Sequence, residues 1–138
     1  MTATWQELAH QTLQAAESGA MTFGESTRVL TEAGFDGYAV DFRRNTRTYY
    51  LTGGETLALD TEPASPVAER FDVDTVKEAL REAQQLIPGY TYHGFCTKVT
   101  AAGCAGYVVS FLGRRVVYYG RTGETHTEYF PGTQPAAR

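Results

Sequence analysis

The feature that most constrains the fold is a stretch of sequence that occurs twice at a constant spacing. EAGFDGYAVDF begins at Glu32, AAGCAGYVVSF begins at Ala101, and the two align without a gap at an offset of 69 positions. The same offset matches two further groups: Tyr49-Tyr50 with Tyr118-Tyr119, and Gly54-Glu55-Thr56 with Gly123-Glu124-Thr125. Three multi-residue matches in one register predict an internal repeat with copies at about residues 1–60 and 72–131.

Each copy is predicted to contain two helices followed by three strands. Three Thr-x-x-Glu pairs have the spacing of a capping box and predict the start of a helix: Thr4 with Glu7, Thr22 with Glu25, and Thr75 with Glu78. Gly34 and Gly103 follow the second helical pattern of each copy, where a left-handed residue can end a helix. After these glycines, apolar residues alternate as in a half-buried strand: Tyr38, Val40 and Phe42 in the first copy, and Tyr107, Val109 and Phe111 in the second.

These elements predict an α+β fold in a single domain, residues 1–138. Two helix-helix-strand-strand-strand units are expected to form an antiparallel sheet packed by helices, about a pseudo-two-fold axis as in a fused homodimer. Residues 61–71 include Pro63 and Pro66 and are predicted to be a linker that crosses the molecule. Residues 132–138 have too little apolar content to pack and are predicted to fray.

The composition is that of an ordinary soluble protein and excludes several classes of function. Hydrophobic residues make up 42% and charged residues 20%, and no apolar run approaches the roughly 18 residues of a membrane span. The N-terminus lacks the basic and apolar segments of a secretory signal, so we expect a cytoplasmic protein with no membrane partner and two reduced cysteines. A net charge of -4 argues against a nucleic-acid partner.

The stretches FCTKVTAAGCAGYVVSF and VVYYGRTGE of the second copy resemble the YdfO/YbcV-like family of small bacterial and prophage proteins, which have no assigned function. The matching residues are mostly structural types, so the resemblance implies a fold more than an activity: Phe95, Cys96, Gly103, Tyr107, Val109, Tyr118, Tyr119 and Gly123. The sequence departs from the family pattern at Val99, Ser110 and Gly120. A second resemblance, carried by no single motif, is to the cyclases that close aziridine rings in azinomycin-type biosynthesis, and it implies an enzyme.

Asp41 is the candidate catalytic residue, because the second copy has Ser110 at the equivalent position. It lies between Val40 and Phe42, in a strand with apolar and aromatic neighbours. If the sheet face that carries Asp41 borders a cleft, its desolvated carboxylate could act as a general base. If that face is open to water, Asp41 is an ordinary solubilising charge.

Nine tyrosines suggest a ligand site with an apolar floor and directional hydrogen bonds. Adjacent tyrosines of a strand point to opposite faces, so the members of each Tyr-Tyr pair cannot share one core. Four tyrosines are the candidates for substrate binding: Tyr38, Tyr50, Tyr107 and Tyr119. Packing combined with an oligomer surface is the alternative explanation.

Arginines cluster at the corresponding hairpins of both copies: Arg43, Arg44 and Arg47 in the first, and Arg114, Arg115 and Arg121 in the second. A guanidinium can hold a carboxylate, sulfate or phosphate in two parallel bonds. Arg43 and Arg44 lie close to Asp41 in sequence and are the candidates for binding an anionic group. Alternatively, they are solvated turn cations.

Neither a metal nor a cofactor is predicted. The possible zinc ligands offer only one pair with tight spacing, whereas a zinc site needs about four: His93, Cys96, Cys104 and His126. Cys96 could act as a nucleophile with His93 as its base, or it could be a buried core thiol. The sequence contains no glycine-rich phosphate loop, nucleophile-elbow serine or dinucleotide fingerprint.

Two functions from different classes remain open. The leading hypothesis is a small-molecule-binding protein of bacterial specialised metabolism, with an anionic ligand between the repeats. In its catalytic form it is a metal-free acid/base cyclase or lyase that uses Asp41 for intramolecular ring closure. The alternative is a non-catalytic interaction module of prophage type, which acts by oligomerisation or by occupying a host protein. For either function, a homodimer or a heterodimer with a related subunit is expected.

Overall fold

The structure is a computed structural model and describes residues 3–131. Within this range there are four helices and six strands, and each half follows the order helix-helix-strand-strand-strand. The first half contains α1 (Trp5–Ser18), α2 (Phe23–Glu32), β1 (Phe35–Asp41), β2 (Thr46–Leu51) and β3 (Thr56–Asp60). The second half contains α3 (Val73–Gln85), α4 (Tyr92–Ala101), β4 (Cys104–Ser110), β5 (Arg115–Gly120) and β6 (Thr125–Tyr129). The tail predicted at residues 132–138 lies outside the described residues.

The strands form one antiparallel sheet in the order β3-β2-β1-β4-β5-β6. At its centre β1 pairs with β4, and Ala39 lies opposite Val108. The pairs on either side are equivalent under the offset of 69 positions: Gly37 with Ser110, and Gly106 with Asp41. The predicted α+β class is therefore confirmed, as is the helix-packed antiparallel sheet. A duplication as the origin of the repeated order stays a prediction.

The helices cover one face of this sheet, which we call the covered face, and the other is the open face. Side chains of the covered face join the buried core together with residues of all four helices: Tyr38, Val40, Tyr49, Tyr107, Val109, Val116 and Tyr118. On the open face, Tyr50 and Val108 are 41% and 44% exposed. The alternation predicted for β1 and β4 is thus confirmed, and only one of the two faces is covered by helices.

Side-chain caps fix where the helices begin. Thr4 and Thr22 each form a capping box with the glutamate three residues later, as predicted. The prediction for α3 was wrong, because Asp72 is the N-cap and the helix begins at Val73. The Asp72 carboxylate accepts hydrogen bonds from the backbone N–H of Thr75 and from its hydroxyl, at 3.3 and 2.7 Å. Because the Asp72 carboxylate accepts both bonds, Asp72 and not Thr75 caps this helix.

Two glycines allow the central strands to approach closely. A Cβ atom on Gly37 would lie 2.2 Å from the carbonyl oxygen of Val109, and one on Gly106 would lie 2.3 Å from that of Val40. The register of β1 against β2, and of β4 against β5, shifts next to these glycines. Any side chain would force the two central strands apart, so this part of the repeat is dictated by packing.

The segment between the halves is held against the second half. The backbone N–H groups of Ala68 and Asp72 donate to the carbonyl oxygens of Thr100 and Ala102, at 3.0 and 2.7 Å. Phe71 is buried and packs on Gly120.

Among residues 3–131, the helices are too short or too polar to cross a bilayer.

Candidate functional site

A buried arginine lies in the covered face of the sheet. Arg47 is only 4% exposed, although it belongs to a short strand that follows the β1–β2 turn. Strand alternation places Arg47 and Tyr49 on the same face, and Arg47 pairs with Val40 of β1 and Leu59 of β3. Its guanidinium is therefore enclosed between the sheet and the helices that cover it.

Tyrosines surround the Arg47 guanidinium. The Nη2 atom donates to the hydroxyl of Tyr92 on α4 at 2.9 Å and is 3.4 Å from the hydroxyl of Tyr107 on β4. These two hydroxyl groups are 2.7 Å apart and share a hydrogen bond. The guanidinium carbon also lies 4.5 Å from the ring centroid of Tyr38, within range of a cation–π interaction. We call Arg47, Tyr38, Tyr49, Tyr92 and Tyr107 the arginine cluster.

Among the described residues, no carboxylate forms an ion pair with Arg47. The ion pairs found among residues 3–131 join Lys98 to Glu82 and His126 to Glu128, and neither involves Arg47. An arginine guanidinium stays protonated in proteins, so Arg47 keeps its positive charge although it is buried. The arginine cluster thus carries one buried positive charge, and removing such a charge from water costs several kcal/mol.

Two buried polar atoms of the arginine cluster lack a hydrogen-bond partner among the described residues. The Nε–H of Arg47 and the hydroxyl of Tyr49 are buried and have no partner among the described residues. Only one of the two hydroxyl hydrogens of Tyr92 and Tyr107 is used in the bond between them. A buried donor without an acceptor is costly, so this arrangement is suited to receive an acceptor such as an anionic oxygen.

Burial keeps these tyrosines protonated. Desolvation raises the pKa of Tyr92 and of Tyr107, and the nearby Arg47 offsets only part of this effect. Desolvation likewise raises the pKa of Tyr38. At neutral pH the hydroxyl groups are therefore donors, and none of them supplies a negative charge to the arginine.

A narrow cleft leads from the surface to Tyr92, one member of the arginine cluster. Its volume is about 410 Å³ with the open mouth included, and water-accessible space inside it is about 30 Å³. It is lined by residues from the end of α1, the end of β1, the segment after β3 and the start of α4: Glu17, Val40, Phe42, Thr61, Glu62, Tyr92, His93 and Cys96. Tyr92 belongs to both the cleft and the arginine cluster, so it is the element that joins the two.

The cysteines of the described residues are free and buried. Desolvation raises the pKa of both Cys96 and Cys104 to about 11, so neither is an activated thiolate at neutral pH. Cys96 lines the cleft together with His93, which is exposed. Across residues 3–131, no three or more His, Cys, Asp or Glu side chains gather as a metal site would require.

The predicted substrate-binding residues fall into three places. Tyr38 and Tyr107 belong to the arginine cluster. Arg43 and Arg44 are exposed in the turn between β1 and β2. Tyr50 and Tyr119 lie on the open face, where they pair with Gly37 and Gly106. The six residues therefore do not form one site, and the two tyrosines of the cluster are separated from the others by the sheet.

Asp41 is also on the open face, away from the arginine cluster. Its carboxylate accepts hydrogen bonds from the backbone N–H groups of Arg43 and Arg44, at 2.9 and 3.1 Å. Ser110 does the equivalent in the second half, where its hydroxyl accepts from the N–H of Gly113 at 2.8 Å. The two residues thus have a common structural role as turn caps, and catalysis by Asp41 stays a prediction.

The sequence reasoning missed Arg47, Tyr49 and Tyr92. Arg47 was grouped with the hairpin arginines, yet the repeat offers a signal: the offset of 69 positions matches it to Val116, a buried strand residue. The same alternation that places Tyr49 in the core places Arg47 beside it. Tyr92 has no such signal, because only the packing of α4 on the sheet brings its hydroxyl to β2.

A comparison with models of known protein families finds none that matches this chain. A comparison with curated proteins finds no match either. The resemblance to the YdfO/YbcV-like family therefore stays a prediction, and the function must be argued from the arginine cluster itself.

Proposed function

We propose that this protein binds a small molecule through an acidic group of that molecule, which enters the cleft and accepts hydrogen bonds from the arginine cluster. The observation that carries this proposal is the buried, uncompensated charge of Arg47 beside two buried donors without partners. An anionic oxygen would supply both the missing charge and the missing acceptors. A carboxylate, sulfonate or phosphate fits this description.

Packing alone does not require an arginine at this position. In the second half the equivalent strand has the buried Val116, which pairs with Val109 as Arg47 pairs with Val40. Replacing a buried charge by an apolar residue is often neutral or stabilising. The arginine is therefore better explained by binding than by stability, in keeping with the general association of buried, perturbed charges with functional sites.

Whether this protein also catalyses a reaction is a separate question from what it binds. A cyclase of specialised metabolism with Asp41 as its base has no supporting contact, because the sheet lies between Asp41 and the arginine cluster. Any reaction at the cleft would instead use groups that line it, such as Tyr92 or His93. We therefore propose binding as the function and keep the cyclase and the cytoplasmic location as predictions.

Thermal unfolding in the presence of short carboxylates, sulfonates and inorganic phosphate tests the proposal. The wild-type melting temperature should rise with at least one of these probes, because a ligand of the folded state stabilises it. The variant Arg47→Val should lose this rise while keeping its fold, since Val116 shows that the sheet accepts valine at this position. Arg43→Gln, in the exposed turn, is the matched control and should respond like wild type.

Two results would contradict the proposal. One is the absence of any rise in the wild-type melting temperature across the three probe classes. The other is an equal rise in Arg47→Val and in wild type, which would place the anion on the exposed arginines of the hairpins.

The open face favours a second candidate function, association with another copy of this chain. Val108 and Tyr50 are 44% and 41% exposed near the centre of the face, and Leu112 beside it is 75% exposed. This centre coincides with the symmetric pairing of Ala39 and Val108, so two copies could present equivalent patches to each other. Sedimentation should then show a dimer that Val108→Asp dissociates, and a wild-type monomer at all concentrations would exclude it.

A further inference from the structure

The entrance of the cleft is acidic, in contrast to the arginine cluster behind it. Glu17 lies in the last turn of α1 and Glu62 follows β3, and both line the cleft. Among residues 3–131 neither carboxylate forms an ion pair. The last turn of α1 has no basic residue, so the Glu17 carboxylate stands at the negative end of the helix dipole without a neutralising charge. A cation at this position would relieve both charges.

We propose that the ligand is a small zwitterion, whose acidic group binds the arginine cluster and whose protonated amine binds Glu17 and Glu62. This inference rests on the proposed function and adds the chemical class of the ligand. Two independent observations support it. Glu17 and Glu62 border the cleft without an ion pair among residues 3–131, and in the arginine cluster behind it the Nε–H of Arg47 and the hydroxyl of Tyr49 have no hydrogen-bond partner among the described residues.

The Tyr92 side chain lies between the two ends of the proposed site. The Tyr92 hydroxyl accepts a hydrogen bond from Nη2 of Arg47, while the same side chain lines the cleft that Glu17 and Glu62 border. Glu17 also acts on Cys96, since it adds to the rise in the pKa of that thiol that burial mainly causes.

The dimensions of the cleft limit the ligand to a short chain. About 30 Å³ of water-accessible space holds two or three water molecules, since one water needs about 10–15 Å³ by this measure. An acidic group can therefore reach Arg47 only if the Tyr92 side chain moves aside and gives up its hydrogen bond to Nη2. The best-fitting ligands are amino acids in which a few methylene groups separate the amine from the acid.

Matched pairs of probes separate the two ends of the ligand. Isothermal titration calorimetry at neutral pH compares 3-aminopropanoate with propanoate, 4-aminobutanoate with butanoate, and 5-aminopentanoate with pentanoate. Because the amine adds charge-assisted hydrogen bonds, at least one aminated probe should bind about tenfold or more tightly than its partner. The double variant Glu17→Gln/Glu62→Gln should abolish this difference without weakening the plain acid.

The controls distinguish failure of this inference from failure of the proposed function. Glu78→Gln, an exposed glutamate of α3, should bind like wild type, and Arg47→Val should lose both members of each pair. If wild type binds aminated and plain acids equally, and Arg47→Val binds neither, the zwitterion is wrong and the anion site stands. If the double variant keeps the preference for aminated probes, the zwitterion site is also wrong. If wild type binds no probe, both proposals fail.

Discussion

The two halves of this protein share a backbone plan but differ in where each buries polar groups. The first half has Arg47 on its middle strand β2, and the second half has Val116 at the equivalent position of β5. On the outer strands the difference is reversed. Leu57 and Leu59 of β3 correspond to His126 and Glu128 of β6. The shared plan therefore tolerates either kind of residue, and the polar groups reflect what each half does.

The polar groups of the second half are satisfied within the protein. The Nε2 atom of His126 is 2.5 Å from a carboxylate oxygen of Glu128, and the ring of His126 stacks on Tyr118 at 6.5 Å. Gln84 of α3 donates to the other carboxylate oxygen at 3.2 Å. This pair ties β6 to α3 and has its own partners. In the arginine cluster of the first half, the Nε–H of Arg47 and the hydroxyl of Tyr49 have no partner among the described residues, and this contrast is the basis of the proposed anion site.

Moving the charge to the second half is the strongest way to test this comparison. Val116→Arg should lower the free energy of unfolding by about 3–5 kcal/mol, because the new guanidinium is buried without a counterion. The position equivalent to Tyr92 is Phe23, which has no hydroxyl to receive it. Urea unfolding measures the loss. Val117→Arg, on the open face of the same strand, is the control and should cost less than about 1 kcal/mol.

If Val116→Arg and Val117→Arg prove equally destabilising, burial of the new guanidinium does not explain the loss of stability. The second half would then accommodate a buried guanidinium as readily as the first, and the inference from Arg47 to ligand binding would lose its basis.

Alkaline pH tests the buried hydroxyl groups of the arginine cluster. In the unfolded chain tyrosine loses its proton near pH 10, whereas burial raises the pKa of Tyr107 in the folded protein. Above about pH 10 the unfolded state therefore binds fewer protons, and stability falls by about 1.4 kcal/mol per pH unit for each such tyrosine. Tyr107→Phe should reduce this slope by one tyrosine, as measured by urea unfolding at several pH values.

Tyr50→Phe is the matched control for the alkaline series, because Tyr50 is 41% exposed on the open face. This variant should keep the wild-type slope. An identical slope in Tyr107→Phe and wild type would mean that the Tyr107 hydroxyl ionises as freely in the folded as in the unfolded state.

The turn caps provide the smallest of these tests and probe a similarity between the halves. Asp41→Ala and Ser110→Ala should each lower the free energy of unfolding by about 1–2 kcal/mol, with the larger loss for the carboxylate that accepts two N–H bonds. Asp41→Ser should recover much of the loss, because a hydroxyl performs this role in the second half. Ligand binding at the arginine cluster should be the same in all three variants; weaker binding in Asp41→Ala would restore a functional role for this acid.

Local chemistry made much of the fold predictable. The capping boxes at Thr4 and Thr22 and the alternation of Tyr38, Val40 and Phe42 depend on neighbouring residues, and each is confirmed. The start of α3 was missed because Asp72 and Thr75 are both capable caps, and only the backbone path decides between them. The sheet order depends on long-range pairing, which the repeat indicated but did not specify.

The site was harder to predict, and the reason is physical. A charged residue near a turn is usually solvated, so the sequence gives no reason to separate Arg47 from Arg43 and Arg44. Arg43 and Arg44 are the predicted anion-binding residues because they lie closest to Asp41 in sequence. Arg44 is exposed in the turn, whereas Arg47, three residues later in β2, is buried. The difference between Asp41 and Ser110 attracted a chemical explanation, although hydrogen bonding to a turn is possible for either side chain.

The symmetric pairing of Ala39 with Val108 has a consequence for stoichiometry. If two identical chains formed this central strand pairing, each residue would occur twice, and two arginine guanidinium groups would be buried in one core. Because both halves belong to one polypeptide, the charge occurs once in a nearly two-fold frame. Each molecule should accordingly bind a single ligand, at one end of an otherwise balanced scaffold.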